Sequence, residues 1–290
     1  MRRKVKNRST IARSLWRLLS GGLIYLWLTF MALCALLPLM WMFSSSLRIP
    51  GESFELPPSF FPTSWRWDNW LAVLHSPLIN YPLFFVNSVK LAVVITGFQL
   101  LLCSCAAFGF ARLRFPGRDL LFFAFLATLM VPGQAVVVPR FIIIRNLKLI
   151  DSHWALILPS MASAYGVFLL RQFFLTLPGE LMDAAKIDGA GFFDIYWRIM
   201  LPMIGPGLSA LGVFVFLASW NDFFQPMLFL RSWDKLTLPV AIPILQTYMG
   251  EGSLAHVLAA ITMSILPALG VYLSAQRFII QGIALTGLKG

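Results

Sequence analysis

An all-α membrane protein with six transmembrane helices is the fold class this sequence predicts, on three observations. The 290 residues have a mean hydropathy of +0.79, with 59% hydrophobic and only 12% charged residues. That leaves too little polar surface to cover a water-soluble globule. Apolar runs recur at about the 20-residue length that crosses a bilayer. The charges gather between those runs, so the net charge of +11 and the pI near 10.1 follow a topology rule rather than marking a nucleic-acid binder.

The first expected span, 22–43, follows the basic segment MRRKVKNRSTIARSLWR. Its apolar stretch is too long for a secretory signal and has no small-residue cleavage site, so it reads as a retained helix. Residues 1–21 are expected to form a basic cytoplasmic tail and residues 22–290 the transmembrane domain. The segment from Ser44 to Pro82 is rich in Pro, Trp and polar residues. Its Trp65, Trp67 and Trp70 suit a membrane–water interface, and the same segment is compatible with a docking surface for an external partner.

Spans at 83–111, 120–139, 153–170, 205–230 and 257–278 complete the set, the fourth interrupted by Pro159. Membrane helices tolerate such Pro and Gly where neighbours re-satisfy the backbone. An even number of spans puts both termini on one side. Arg2, Arg3, Lys4, Lys6, Arg8, Arg13 and Arg17, with Arg112, Arg114, Arg118, Arg171, Lys186, Arg198, Arg277 and Lys289, assign that side to the cytoplasm. The opposite side carries Arg48, Arg66, Arg140, Arg145, Lys148, Arg231 and Lys235. Of these, Arg140, Arg145 and Lys148 run against the bias.

Several chemistries are missing from the sequence. It contains no G-x-x-x-x-G-K-S/T loop to cradle the phosphates of ATP. His75, His153 and His256 are isolated, so no metal site is expected. Cys34, Cys103 and Cys105 lie in apolar runs and read as small hydrophobes. No Ser, His and Asp grouping points to a hydrolase. Ionisable residues inside spans, the mark of ion-coupled carriers, reduce to Asp222 and to Lys90, which lies near a span end. Energy for uphill transport would then come from another subunit.

One stretch breaks the apolar pattern. Glu180 to Pro202, ELMDAAKIDGAGFFDIYWRIMLP, carries Glu180, Asp183, Asp188 and Asp194 with Lys186 and Arg198 between them. Gly189 is placed to end a first helix in the left-handed conformation. A second, aromatic helix would follow and pack on the bundle. The small face at Ala184 and Ala185 suits a groove on another protein, and an ordinary amphipathic surface helix would have the same pattern.

This run resembles the EAA loop of binding-protein-dependent ABC importer permeases, E-A-A, three residues, G, nine residues, I-x-L-P. Asp183, Ala184, Ala185, Gly189, Ile199, Leu201 and Pro202 occupy its positions, with Asp183 in place of the usual Glu. WNDFFQPMLFL from Trp220, LTLPVAIP from Leu236 and the ending QRFIIQGIALTGLKG are similar to the carbohydrate-uptake subfamily, of the MalG-like, maltose-transporter type. The resemblance spans about Leu23 to Gly290 and implies a MetI-like permease fold.

It further implies a second, homologous permease, two cytoplasmic ATPase subunits that bind ATP and Mg, and an external solute-binding protein. It implies neither a cofactor on this chain nor enzymatic activity of its own, and contact with membrane lipid rather than nucleic acid. Loop 178–202, with Glu180 to Gly189 as coupling element and Asp183 and Asp188 among its acids, would carry ATPase movement to the spans. The tail from Gly282 to Gly290 would approach the ATPase as well. Gln134, Ser163, Tyr165, Trp220 and Asn221 are candidates by type and depth for the solute pathway, although Ser and Asn also bond between membrane helices. The solute implied is a sugar or polyol. A glycerol phosphate or glycerophosphodiester is the alternative, because LPSMASAYGVFLLRQFFLTLPGEL resembles permeases of that group. An ion-coupled carrier using Asp222 or His256 is the reading from a different class.

Overall fold

The computed structural model describes residues 2–49, 60–76, 79–249 and 254–287, with side chains described over 21–49, 60–76, 79–247 and 254–276. The centre of the Ser44–Pro82 segment and the end of the Gly282–Gly290 tail lie outside the described residues. Among the described residues the regular structure is helical. In order it comprises α1 (Arg2–Ser46), α2 (Asp68–Leu74), α3 (Tyr81–Arg112), α4 (Arg118–Ala127), α5 (Val137–Asn146), α6 (Trp154–Ser160) and α7 (Ala164–Thr176). There follow α8 (Glu180–Ile187), α9 (Phe192–Asp194), a π-helical turn (Ile195–Met200), α10 (Leu201–Met203), α11 (Gly205–Trp220), α12 (Phe224–Phe229), α13 (Leu238–Met249) and α14 (Leu254–Gly287).

Three helices are long and apolar enough to cross a membrane singly, at Gly21–Ser46, Tyr81–Arg112 and Leu254–Gln276. The other expected spans are broken. Residues 118–130 and 133–146 meet at 96°, 154–160 and 164–176 at 42°, and 192–203 and 205–220 at 78°. Counted as one span each, these pairs bring the total to six. The first two of these breaks have a local cause. Pro132 pushes Val131 out of the helical region, to φ −85° and ψ 115°. Ser163 is extended and its Oγ caps α7 by accepting from the Gly166 N–H at 3.1 Å. The fifth run, continuous to residue 230 from the sequence, instead stops at Trp220 and resumes as α12, whose first turn is capped by Asp222 Oδ1 accepting from the Gln225 N–H at 3.2 Å.

The chain divides into two units, 1–72 with 250–262, and 73–249 with 263–290. In the first, the apolar stretch of α1 is wholly exposed while its end, Ser44 to Arg48, is buried. Asn69 holds that end by donating to the carbonyls of Ser46 (2.9 Å) and Arg48 (2.8 Å), and Trp70 Nε1 donates to Ser46 Oγ at 3.1 Å. Phe43 makes edge contacts with Trp67 and Trp70. Of the three tryptophans read as interface anchors, these two therefore form a cluster within the protein.

The second unit is built on α3, against which α7 and α11 pack. Small residues permit the close approach. A Cβ at Gly207 of α11 would lie 2.6 Å from the Phe173 ring of α7. Gly207→Ala is therefore expected to lower stability by about 1–3 kcal/mol through overpacking, read as an earlier thermal unfolding midpoint in detergent. Gly97→Ala, where a Cβ meets nothing within 4 Å, serves as the neutral control.

Candidate functional site

Beside α3 lies a cavity of about 400 Å³, within the range of small-molecule sites. α3 contributes Ser88 and Gln99, α5 Arg140, α7 Tyr165, and the turn after α11 Asp222; Ser163 lies at the α7 cap. Ile95, Leu211 and Phe214 supply apolar wall. Gln99 Oε1 accepts from Ser163 Oγ at 3.0 Å. Arg140 is close enough to act on the Asp222 carboxylate electrostatically, and among the described residues the two form no direct ion pair. Hydroxyl, amide, cationic and anionic groups thus converge on one partly apolar chamber, an arrangement that can hydrogen-bond a polar solute and pack its carbon face.

Of the five residues selected by type, Ser163 and Tyr165 line this cavity. Trp220 packs instead, stacked on Phe216 and edge-on to Phe85, with Nε1 donating to the Ser264 carbonyl at 3.0 Å. Asn221 turns back to the Leu217 carbonyl at 2.9 Å, and Gln134 sits exposed on a 3-10 turn, Gly133–Val136. Ser88, Gln99 and Arg140 were not selected. Gln99 carried a signal, as an amide in the middle of a long apolar run. Arg140 carried another, as a charge on the wrong side of the topology count.

The end of the cavity wall near Ser88 is tied down. Asn87 Nδ2 donates to the carbonyls of Asp234 (2.9 Å) and Leu236 (3.0 Å), and Ser88 Oγ accepts from the Leu238 N–H at 2.8 Å. His153 Nε2 meets the Lys235 carbonyl at 2.9 Å. Asp151 accepts from Ser232 Oγ, from the N–H groups of Ser232 and Arg231 at 2.9 Å each, and from Lys235 Nζ at 3.1 Å. Those donors, the Ser232 hydroxyl foremost, hold its carboxyl far below the usual carboxylate range. A pKa lowered by folding stabilises at pH above the unfolded value of about 3.9 and stops doing so as pH falls through the folded value. Asp151→Asn should therefore speed amide exchange at Arg231 and Ser232 about tenfold at neutral pH, an effect that acid produces in the wild type only well below the ordinary carboxylate value.

At the opposite end of α7 stands the acidic stretch. α8 closes with both bonds of a Schellman motif, the Gly189 N–H to the Lys186 carbonyl (3.0 Å) and the Ala190 N–H to the Ala185 carbonyl (2.9 Å), with Gly189 at φ +80°. Ala185 is buried at 6% exposure, whereas Glu180, Asp183, Ala184 and Asp188 are exposed and Ile187 reaches 86%. The Asp183–Lys186 pair at 3.5 Å is solvent-exposed and holds little energy. One face of α8 is thus fixed and the other, small and acidic with a bare isoleucine, is unpartnered among the described residues.

The aromatic half departs from expectation. Phe192, Phe193 and Trp197 are exposed, Phe193 stacked on Trp197, and do not pack on the bundle. Ile195, Tyr196 and Met200 are the buried ones. Pro202 has no N–H to give the Arg198 carbonyl, and a π-helical turn spans Ile195–Met200 ahead of it. Ile199 and Leu201 are half-buried and Pro202 is exposed.

The residues leading into the stretch and Tyr196 within it both bond to α3. Arg112 Nη2 donates to the carbonyls of Phe174 and Leu177, just before the loop begins. Tyr196 Oη shares a hydrogen with Ser104 Oγ at 2.8 Å and accepts from Cys105 Sγ at 3.3 Å. At 1.5 Å per residue α3 is about 48 Å long, and it carries these anchors at one end and Ser88, Leu91, Ile95 and Gln99 of the cavity wall towards the other.

Interrupted apolar helices around a polar chamber, joined through one long helix to an exposed surface helix, define a membrane transport subunit. The family model described as "Binding-protein-dependent transport system inner membrane component" matches residues 100–282. An arabinooligosaccharides transport system permease protein, AraQ, of Halalkalibacterium halodurans is 35% identical over 90% of this chain and 94% of its own. An sn-glycerol-3-phosphate transport system permease protein, UgpE, of Yersinia pestis is 34% identical over 87% and 91%. A solved bacterial ABC transporter involved in import of the acidic polysaccharide alginate contains a chain with the same fold, at TM-score 0.80 and 24% identity, covering 91% of this chain and 97% of that one. The chain belongs to the family of inner-membrane components of binding-protein-dependent transport systems. It is a multi-pass membrane protein, the permease subunit of an ABC importer.

Proposed function

We propose that this permease forms half of the path for a sugar or polyol delivered by an external solute-binding protein. A second, homologous permease supplies the other half, and two cytoplasmic ATPase subunits bind ATP and Mg and hydrolyse the ATP. The observation that carries the reading is the continuity of α3, bonded by Arg112 to the residues that lead into the Glu180–Pro202 loop and by Ser104 to Tyr196 within it, and lining the polar cavity with Ser88 and Gln99. In this scheme the exposed face of α8, from Glu180 to Asp188, enters a groove on one ATPase, and Asp183 pairs with a cation there. Both termini lie in the cytoplasm with that loop. Arg140, which ran against the charge bias, then belongs to the solute path and drops out of the topology count.

The hydroxyl and amide groups of the cavity, with the Tyr165 and Phe214 rings, suit a polyhydroxylated solute. Import of glycerol 3-phosphate is the second reading, favoured by the UgpE relatives and by the Arg140 guanidinium. The test is the complete complex in vesicles, with binding protein loaded with arabinooligosaccharide or with glycerol 3-phosphate. ATP hydrolysis and uptake stimulated by the sugar-loaded protein alone support the first reading, and stimulation by glycerol 3-phosphate alone moves the assignment to the second. ATP-independent uptake by this chain in isolation overturns the coupling scheme.

A further inference from the structure

The segment that precedes the first span lies outside the matched family region of 100–282. α1 nevertheless runs unbroken from Arg2 to Ser46, so one helical register extends from the membrane-crossing stretch Gly21–Ser46 back through the basic residues. At about 100° per residue, positions 2, 6, 13 and 17, all Arg or Lys, fall within an arc of roughly 60°. Arg3, Asn7, Ser9, Thr10, Ser14 and Ser20 widen the same polar side. The opposite side of the register holds Val5, Ile11, Leu15, Trp16, Leu18 and Leu19, interrupted only by Lys4 and Arg8. No acidic residue occurs before Glu52.

A topology signal needs the charges alone and is indifferent to their phase. From Ser9 to Ser20 polar and apolar residues are sorted by helical angle, with Lys4 and Arg8 before them falling inside the apolar arc, and that sorted segment has the pattern of a helix that lies in a bilayer surface. Lying in the surface requires a bend between this segment and the crossing stretch, and the Gly21–Gly22 pair stands at that boundary, where a helix can take one.

We propose that residues 2–20 form an amphipathic anchor that binds the anionic phospholipid surface of the membrane, its apolar arc at the acyl boundary and its cationic arc on the headgroup phosphates. Two features select lipid over a protein groove: a charge of one sign throughout, and direct continuity with a membrane-crossing helix.

The test uses the complete transporter in nanodiscs of phosphatidylcholine alone or with added phosphatidylglycerol, with amide exchange read over residues 5–20. Exchange is expected to slow about tenfold only with the anionic lipid, and high salt should reverse the effect by screening. A register variant, Ala12→Arg with Arg13→Ala and Trp16→Arg with Arg17→Trp, keeps the net charge and the topology signal but breaks the arcs. It should lose the lipid-dependent protection while inserting normally. Protection that is equal in both lipids, that survives in the register variant, or that is lost when the ATPase subunits are stripped from the complex overturns the proposal, as does the absence of protection in either lipid.

Discussion

Gly189→Val is expected to lower transport more than tenfold while leaving membrane insertion and the packing of α3, α7 and α11 intact. The cause is backbone alone. A Cβ at Gly189 meets nothing within 4 Å, so no neighbour is displaced. The φ of +80° is what valine cannot adopt: a left-handed residue with a Cβ costs about 1–2 kcal/mol, and a β-branched one is a true outlier. Relieving that strain opens the bonds from the Gly189 and Ala190 N–H groups and lets the end of α8 unwind. The exposed face from Glu180 to Asp188 then loses its fixed angle to the bundle. Gly189→Asn, which tolerates the left-handed region, should keep most of the activity. Uptake at the wild-type rate by Gly189→Val, with the ATPase normally assembled, would show that α8 does not couple.

Arg112→Ala has the second large effect. The guanidinium satisfies two carbonyls at the end of α7, those of Phe174 and Leu177, where the helix dipole also favours a cation. Charge-assisted bonds of this kind are worth about 1.5–3 kcal/mol, enough to free the start of the Glu180 loop from α3. The expected phenotype is slippage: ATP hydrolysis continues, while solute moved per ATP falls severalfold. Arg112→Lys should recover part of it, because a single ammonium lacks the planar fork. A variant that loses hydrolysis and uptake in equal proportion would make Arg112 a folding residue instead of a link in the coupling path.

What could be read from the sequence follows the range of the interactions involved. Gly189 was readable because a helix C-cap is settled within six residues by backbone bonds. The seven spaced positions from Asp183 to Pro202 were readable only through their resemblance to the EAA loop of importer permeases. Aromatic packing in Phe192 to Trp197 was not. Which rings turn inward there depends on the π-helical turn ahead of Pro202, a change of phase that an α-helical register does not contain. The break at Val131 was missed because Pro and Gly are common in membrane helices that continue through them, and the one at Asn221 because no Pro or Gly marks it.

The cavity was the least readable part. Its polar residues come from α3, the cap of α7, α5 and the turn after α11, with no common spacing along the chain. α3 is apolar almost all round, so periodicity could not say which side faces protein. Trp220 and Tyr165 looked equivalent by type, and the rotation of their helices separates them, burying one ring on Phe216 and opening the other to the cavity.

By itself the sequence determined that the chain belongs in a membrane, how many times its apolar runs can cross, and where the acidic stretch Glu180–Pro202 interrupts them. Hydropathy and capping are properties of a segment and its immediate neighbours, so they survive without the rest of the fold. Only the tertiary structure decided that α3 joins that loop to the cavity, that Arg112 and Tyr196 are the joints, and that Gln99, Arg140 and Asp222 share one chamber. Those facts depend on how helices distant in sequence rotate and approach, which packing between small residues such as Gly207 and rings such as Phe173 sets and no local pattern encodes.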